Sequence, residues 1–382
     1  MSIEEVEKNK KYRIEVVIGY NGNKKIRHYE TFEGGKKQAI LRENEIKLQI
    51  KNNTYIKKND MTMKELIEEW LKSKKGNVGI KTYQEYEREC KNVIDSIGHI
   101  KLKNINAKIL EDFYNQLKMA KGRGRSKVGY SDKTIKHYYA LISDILNKAV
   151  KWDYIPSNPN NKVTPIKVRK KEIACYSPAE VKELFRVLKN EPIKYQAVIF
   201  LAIDSGARMG EITGLTWKDI DFEELSVNIN KATQYVAGYG TFEKDTKSET
   251  SNRKIYISQT TMQVLKKYKL EQDKLKMQLG SKWEGSERVF TTELGGDMHP
   301  HRPYKILQQI IKKYNLKKVS FHSLRHTNIS LLSSIGVPLQ QISRRAGHSS
   351  ITITDEVYSH FFEQDKQQIG YKMDTLLNAK VM

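Results

Sequence analysis

Cysteine is almost missing from this chain: only Cys90 and Cys175 occur in 382 residues. They lie far apart and without zinc-like spacing, so neither a disulfide framework nor a metal knuckle is expected, and a reducing compartment fits. Long apolar runs are missing too. No window approaches the roughly 18 apolar residues that a spanning helix needs. The N-terminal MSIEEVEKNKKY has no apolar signal core, so neither membrane attachment nor export is expected. Proline is scarce at eight residues, and three of them (Pro156, Pro159, Pro165) crowd into one short stretch. Acidic residues are the minority charge: 45 Asp plus Glu face 68 Lys plus Arg, leaving a net charge of +23. An excess that large favours a polyanionic partner, either nucleic acid or an acidic surface.

At 382 residues, 38% of them hydrophobic, the chain can build two or three cored domains. Residues 10–55 alternate as strands do, with Tyr12, Ile14, Val16 and Ile18 on one face. Asn21-Gly22-Asn23 supplies turn chemistry and Lys25–Phe32 reads as a second strand. A helix is expected over 36–51, burying Ala39, Ile40, Ile46 and Ile50. Lys24, Lys25, Arg27 and His28 crowd near the turn. A basic two- or three-stranded ribbon is about the size that enters a major groove. A small solvated sheet is the plain alternative.

Residues 60–155 read as all helix, in four apolar stripes. These are Met63, Leu66, Ile67, Trp70 and Leu71; Tyr83, Tyr86, Val93, Ile94 and Ile97; Leu110, Phe113, Tyr114 and Leu117; and a long helix capped by Ser131. Between the last two stripes lies KMAKGRGRSK, residues 118–127, which is too charged to bury. Arg123, Arg125 and Lys127 there are candidates for contacting a phosphate backbone. Residues 156–172 read as an extended basic linker carrying Lys167, Arg169 and Lys170. Ser177-Pro-Ala-Glu180 is a capping box with proline in the first helical position, so a new domain opens there. Beyond it helices alternate with one short β region, 225–258.

Four places in this last segment hold groups suited to phosphoryl transfer. Ser205-Gly-Ala-Arg208-Met-Gly-Glu211 presents a guanidinium for phosphate oxygens, with Glu211 placed to hold it. The turn Lys244–Arg253 contains Lys247, able to swing an ammonium toward a leaving oxygen, with Lys244 and Lys254 as neighbouring candidates. His322 and Arg325, at i and i+3, share a helical face. The last stretch runs Arg345-Ala-Gly347-His348 to Tyr358-Ser-His360, with Gly347 expected to end a helix. Singly, each has an ordinary reading as an ion pair, a hairpin lysine, an incidental helical pair or a packed tyrosine.

Together and in this order they resemble a tyrosine recombinase of the phage and conjugative-transposon integrase kind. That family's ordered set of Arg, Lys, His-x-x-Arg, His or Trp, then Tyr appears as Arg208, Lys247, His322, Arg325, His348 and Tyr358. The resemblance covers nearly the whole chain. It implies a mainly α fold with small β elements (α+β). Residues 1–56 would be an arm-site-binding domain, a three-stranded sheet plus helix. Residues 60–155 would be a helical core-site-binding bundle, 156–172 the linker, and 173–382 a mostly helical catalytic domain with a tail helix, closing as a C-shaped clamp on DNA. Tyr358 would be the nucleophile of a site-specific recombinase that integrates and excises a mobile element through a 3′-phosphotyrosyl intermediate. The implied partners are double-stranded DNA at arm and core sites, a homotetramer on that DNA, a host DNA-bending protein and an excisionase, all in the bacterial cytoplasm at the nucleoid. No Walker-type loop and no carboxylate cluster suited to two metals is found, so no cofactor is expected. A catalytically silent DNA-binding regulator, or a resolvase or invertase of the same chemistry, is the competing expectation.

Overall fold

The computed structural model describes residues 3–8, 10–21, 24–51, 60–119, 129–168, 174–245, 252–347, 350 and 377. Two compact units divide the chain, Met1–Lys170 and Lys171–Met382. Helices dominate both, with small sheets added, and no described helix is long and apolar enough to cross a membrane.

The first unit opens with three antiparallel strands, β1 (Ile3–Glu7), β2 (Lys11–Asn21) and β3 (Lys24–Glu33), followed by α1 (Lys36–Lys51). Period-two alternation puts Tyr12, Ile14 and Val16 on the face that α1 covers with Ala39 and Ile46. Ile40, expected in this core, is 42% exposed instead. The covering stripe runs through Ala39, Glu43 and Ile46, and a residue adjacent to Ala39 is turned about 100° away from it. Lys24, Lys25 and Arg27 are exposed on β3, where Arg27 sits 2.9 Å from Glu15 across the sheet.

Four helices then form the bundle: α2 (Met63–Lys74), α3 (Ile80–Ile97), α4 (Ala107–Met119) and α5 (Asp132–Lys151). Their apolar stripes meet in one core, which includes Trp70, Val93, Phe113, Tyr138 and Leu146. Ser131 caps α5 by accepting from the Thr134 N–H, as its position suggested. Residues 156–163, read as the start of a linker, are packed. Asn158, Asn160 and Val163 are buried, and Pro159–Lys162 forms a 3-10 turn. Asn160 is why. With no exposure, it accepts from the Tyr114 hydroxyl at 2.9 Å and donates to the Tyr139 carbonyl and the Ser143 hydroxyl at 3.1 and 2.7 Å. Only from residue 164 does the described chain run without regular structure, with Lys167 exposed. Arg123, Arg125, Lys127, Arg169 and Lys170 lie outside the described residues.

The second unit contains α6 (Pro178–Leu188), α7 (Ile193–Ser205), α8 (Met209–Gly214), β4 (Ile220–Asp221), β5 (Ser226–Ile229), β6 (Lys231–Val236), β7 (Gly240–Asp245) and β8 (Arg253–Tyr256). It continues with α9 (Gln259–Leu279), α10 (Arg302–Lys313), α11 (Phe321–Ser334) and α12 (Leu339–Ala346). Every residue of α7 from Ala197 to Ile203 is buried, so this helix has no solvent face and forms the centre of the unit. The β region is more divided than one strand pair. β4, β5 and β8 form one antiparallel sheet, while β6 and β7 form a separate hairpin. Lys244, read as part of a turn, lies in β7 opposite Ala232, and Lys247 lies outside the described residues.

Replacing Asn160 with alanine strands the buried Tyr114 hydroxyl and takes a donor from the Ser143 hydroxyl. Unsatisfied groups of that kind cost about 1–3 kcal/mol each. Asn160→Ala is expected to lower bundle stability by about 2–3 kcal/mol in urea denaturation. A loss below about 0.5 kcal/mol, ordinary for a surface site, would show that the turn is not an anchor.

Candidate active site

Arg208 is presented by a break between two helices. α7 ends on Gly206 in the left-handed region, at φ 63°. A Cβ there would lie 2.6 Å from Asn328 Oδ1, so the position accommodates only glycine. Arg208 itself is extended and caps α8. Its main-chain N–H and its Nη1 each donate to a different oxygen of Glu211, both at 2.9 Å. The pairing expected from the spacing is therefore present, and Glu211 is only 3% exposed. Nη2 of Arg208 donates to the Gly347 carbonyl at 3.0 Å, while the side chain stays 43% exposed.

Glu211 is also held by a second guanidinium that the sequence reading passed over. Arg253, the first residue of β8, donates from Nη2 to Glu211 Oε2 at 2.8 Å and from Nη1 to Oε1 at 3.4 Å. Its Nε donates to the Arg345 carbonyl at 2.8 Å. In sequence Arg253 reads as the end of a turn. The only available signal was that a carboxylate buried in an apolar segment needs more compensation than one half-exposed arginine supplies. Burial alone would raise the Glu211 pKa. The hydrogen bond and charge of Arg253, joined by those of Arg208, outweigh burial and hold it below the usual carboxylate range.

Arg325 and His322 arrive on α11, whose first turn is fixed by a Ser320–Ser323 capping box. Arg325 is 2% exposed and donates from Nη1 to the Gly206 carbonyl at 3.0 Å. The main chain two residues before Arg208 thus anchors the second arginine. Burial of its inner edge, then the cations Arg325 and Arg208, lowers the His322 pKa below 6.5. His326 meets it edge to face at 4.7 Å and is pushed down to about 4 by burial, His322 and Arg325. Both imidazoles are therefore neutral near pH 7, which leaves His322 able to accept a proton.

Of the sequence candidates, Arg208 and Glu211 are bonded to each other, Arg325 is bonded to the main chain two residues before Arg208, and His322 shares α11 with Arg325 and senses both cations. Gly347 ends α12 in the left-handed region at φ 67°, as expected. His348 and Tyr358, like Lys247, lie outside the described residues.

Residues 176–365 match the phage integrase family, and residues 62–118 match the phage integrase N-terminal SAM-like domain. A XerC-like tyrosine recombinase of Caldanaerobacter subterraneus subsp. tengcongensis is 30% identical over 377 residues, covering 93% of each chain. The chain belongs to the phage integrase family of tyrosine recombinases. This recombinase is also similar to the integrase of Staphylococcus phage L54a, at 29% identity over 88% of this chain and 99% of that one. The ICEBs1 integrase of Bacillus subtilis is 23% identical over 99% of this chain and 100% of its own. Among solved structures, a Tn1549 transposon integrase bound to circular intermediate DNA aligns with a TM-score of 0.68 at 21% identity, covering 81% and 99% of the two chains. A lambda integrase tetramer on a Holliday junction aligns at 0.56 and 15% identity over 93% and 94%. At such identities the likeness is one of fold. Membership makes the chain a site-specific DNA recombinase, a strand-transfer enzyme of mobile elements.

Glu211→Gln removes one charge that compensates two guanidiniums, and breaking a buried ion pair costs about 3 kcal/mol or more. Because the folded pKa lies below the unfolded value of 4.5, the Glu211 contribution is complete above pH 4.5 and is lost as pH falls through the lower folded value. Thermal melts should therefore show wild type above Glu211→Gln at pH 7, with the gap closing only below pH 4.5. A gap that is flat down to pH 3 would contradict the ionised carboxylate.

Proposed function

We propose that the recombinase breaks and rejoins DNA through Tyr358, and that the residues linked around Gly206 form its phosphate site. The observation that carries this reading is that Arg325 donates to the Gly206 carbonyl, two residues before Arg208, with a neutral His322 three residues earlier on α11. Two guanidiniums beside a proton acceptor are what a phosphodiester under in-line attack requires. The Tyr358 hydroxyl gives its proton to His322 as its oxygen bonds to phosphorus. Arg208 and Arg325 neutralise the non-bridging oxygens, with His348 donating to one of them. Lys247 then protonates the departing 5′-oxygen, leaving a 3′-phosphotyrosyl bond. The phosphoester energy is conserved in that bond, and attack by a 5′-hydroxyl of another strand reverses the step.

In the same reading, residues 1–56 contact arm sites through β3 and its residues Lys24, Lys25 and Arg27. Residues 60–155 grip the core site, helped by Arg123, Arg125, Lys127 and the basic run at Lys167, Arg169 and Lys170. The DNA complexes and the tetramer of the structural relatives support a multimer on DNA as the working form. A host bending protein and an excisionase complete the proposed assembly, in the bacterial cytoplasm at the nucleoid.

The test is recovery of covalent DNA–protein adduct from cells carrying the element, followed by sequencing of the attached strand. Tyr358→Phe should bind the recovered site on a nicked suicide duplex yet form no adduct; adduct at the wild-type level would remove Tyr358 from the reaction. On the same duplex, the single-turnover rate should hold its plateau as pH falls through 6.5 and decline only below it, since the His322 pKa is depressed. An acid limb centred at or above 6.5 would point to another proton acceptor.

A further inference from the structure

Glu211 presents an electrostatic difficulty that Arg208 alone does not resolve. A buried carboxylate in direct contact with a single guanidinium makes a neutral pair, and a phosphate would have to compete with that carboxylate for the cation. Here the carboxylate is shared. Arg253 takes both of its oxygens and is itself only 8% exposed at the side chain, so it is far less open to solvent than Arg208. Three charges, two positive and one negative, leave one net positive charge, and the guanidinium that reaches the surface is Arg208, at 43% exposure.

Arg253 also fastens the far side of the site. Its Nε holds the Arg345 carbonyl near the end of α12. Its guanidinium lies so close to Gly347 that a Cβ on that glycine would fall 2.9 Å from Nη1. The Gly347 carbonyl in turn accepts from Arg208 Nη2. One side chain therefore touches the acid that orients Arg208 and the turn whose carbonyl receives Arg208.

We infer that Arg253 is a positioning residue. By engaging Glu211 and the Arg345–Gly347 turn, it keeps the Arg208 guanidinium aimed outward with its charge available to the scissile phosphate. This rests on the assignment of Arg208 as a phosphate ligand made above. Lysine does not substitute, because a single ammonium cannot span two carboxylate oxygens and a carbonyl at once.

The experiment compares wild type, Arg253→Met, Arg253→Lys, Glu211→Gln and the Glu211→Gln/Arg253→Met double variant as full-length chains on the recovered site. Binding is read by fluorescence anisotropy and cleavage by single-turnover adduct formation. Arg253→Met should leave Kd within about threefold and slow adduct formation about 10- to 100-fold, the range for a group that orients a primary ligand. Arg253→Lys should fall between the two. The decisive comparison is the double variant. With Glu211 neutral the charge-sharing part of the role is gone and only the bond to the Arg345 carbonyl remains, so adding Arg253→Met to Glu211→Gln should slow cleavage clearly less than it slows wild type. Equal slowing in both backgrounds, or wild-type cleavage by Arg253→Met, overturns the inference. If Arg253→Met does not fold, Arg253→Lys in the wild-type and Glu211→Gln backgrounds supplies the same comparison with a cation kept at the buried position. Arg208→Ala serves as the control: if it cleaves like wild type, the phosphate-site reading fails and not the inference about Arg253.

Discussion

A carboxylate with 3% exposure does not remain ionised unaided, and the way Glu211 is kept ionised organises much of the catalytic unit. Two guanidiniums and a main-chain N–H converge on its two oxygens. The arginines come from the start of α8 and the start of β8, so the carboxylate ties the helical layer to the small sheet. Arg253 carries the connection on to the end of α12. Remove the negative charge and the unit holds two cations a few ångströms apart, one of them buried. The Glu211 cluster is thus a structural joint beneath the proposed phosphate site, and a change to one disturbs the other.

The opposite side of the site depends on main chain rather than charge. The carbonyl of Gly206 receives Arg325, and the glycine leaves room for Asn328, whose amide donates to the Asp204 carbonyl at 2.7 Å. Because Ala197–Ile203 and Ser205 of α7 are all buried, this short segment continues directly from the packed centre of the unit. In the proposed role of Arg325, such an anchor fixes the orientation of the guanidinium, since a carbonyl in a packed turn has little freedom to follow it.

Local chemistry was readable in the sequence and long-range chemistry was not. The helix starts at Ser131 and Ser177 follow from side-chain oxygens placed to accept from main-chain N–H groups, and the structure has both. The Arg208–Glu211 contact follows from spacing. Ile40 was misplaced because a short helix over a small sheet buries a narrower stripe than its apolar residues suggest. Asn160 was hidden inside a proline-rich stretch whose composition speaks for a linker, and only the Tyr114 and Ser143 partners reveal it as a plug. Arg253 was invisible for the same reason, as its carboxylate lies 42 residues earlier.

The sequence separations of these bonds bear on how the enzyme comes to exist during translation. Arg325 reaches back 119 residues to Gly206, and Arg208 reaches forward 139 residues to Gly347. The bundle, with its Asn160 turn, closes from residues that leave the ribosome well before either partner is made, and domains tend to fold in that order. A nascent chain would then carry its basic, folded amino-terminal half for a long interval before the arginines acquire the company that gives them a purpose. On the proposed assignment of Arg208 and Arg325, strand cleavage waits on connectivity alone until the last helices are made.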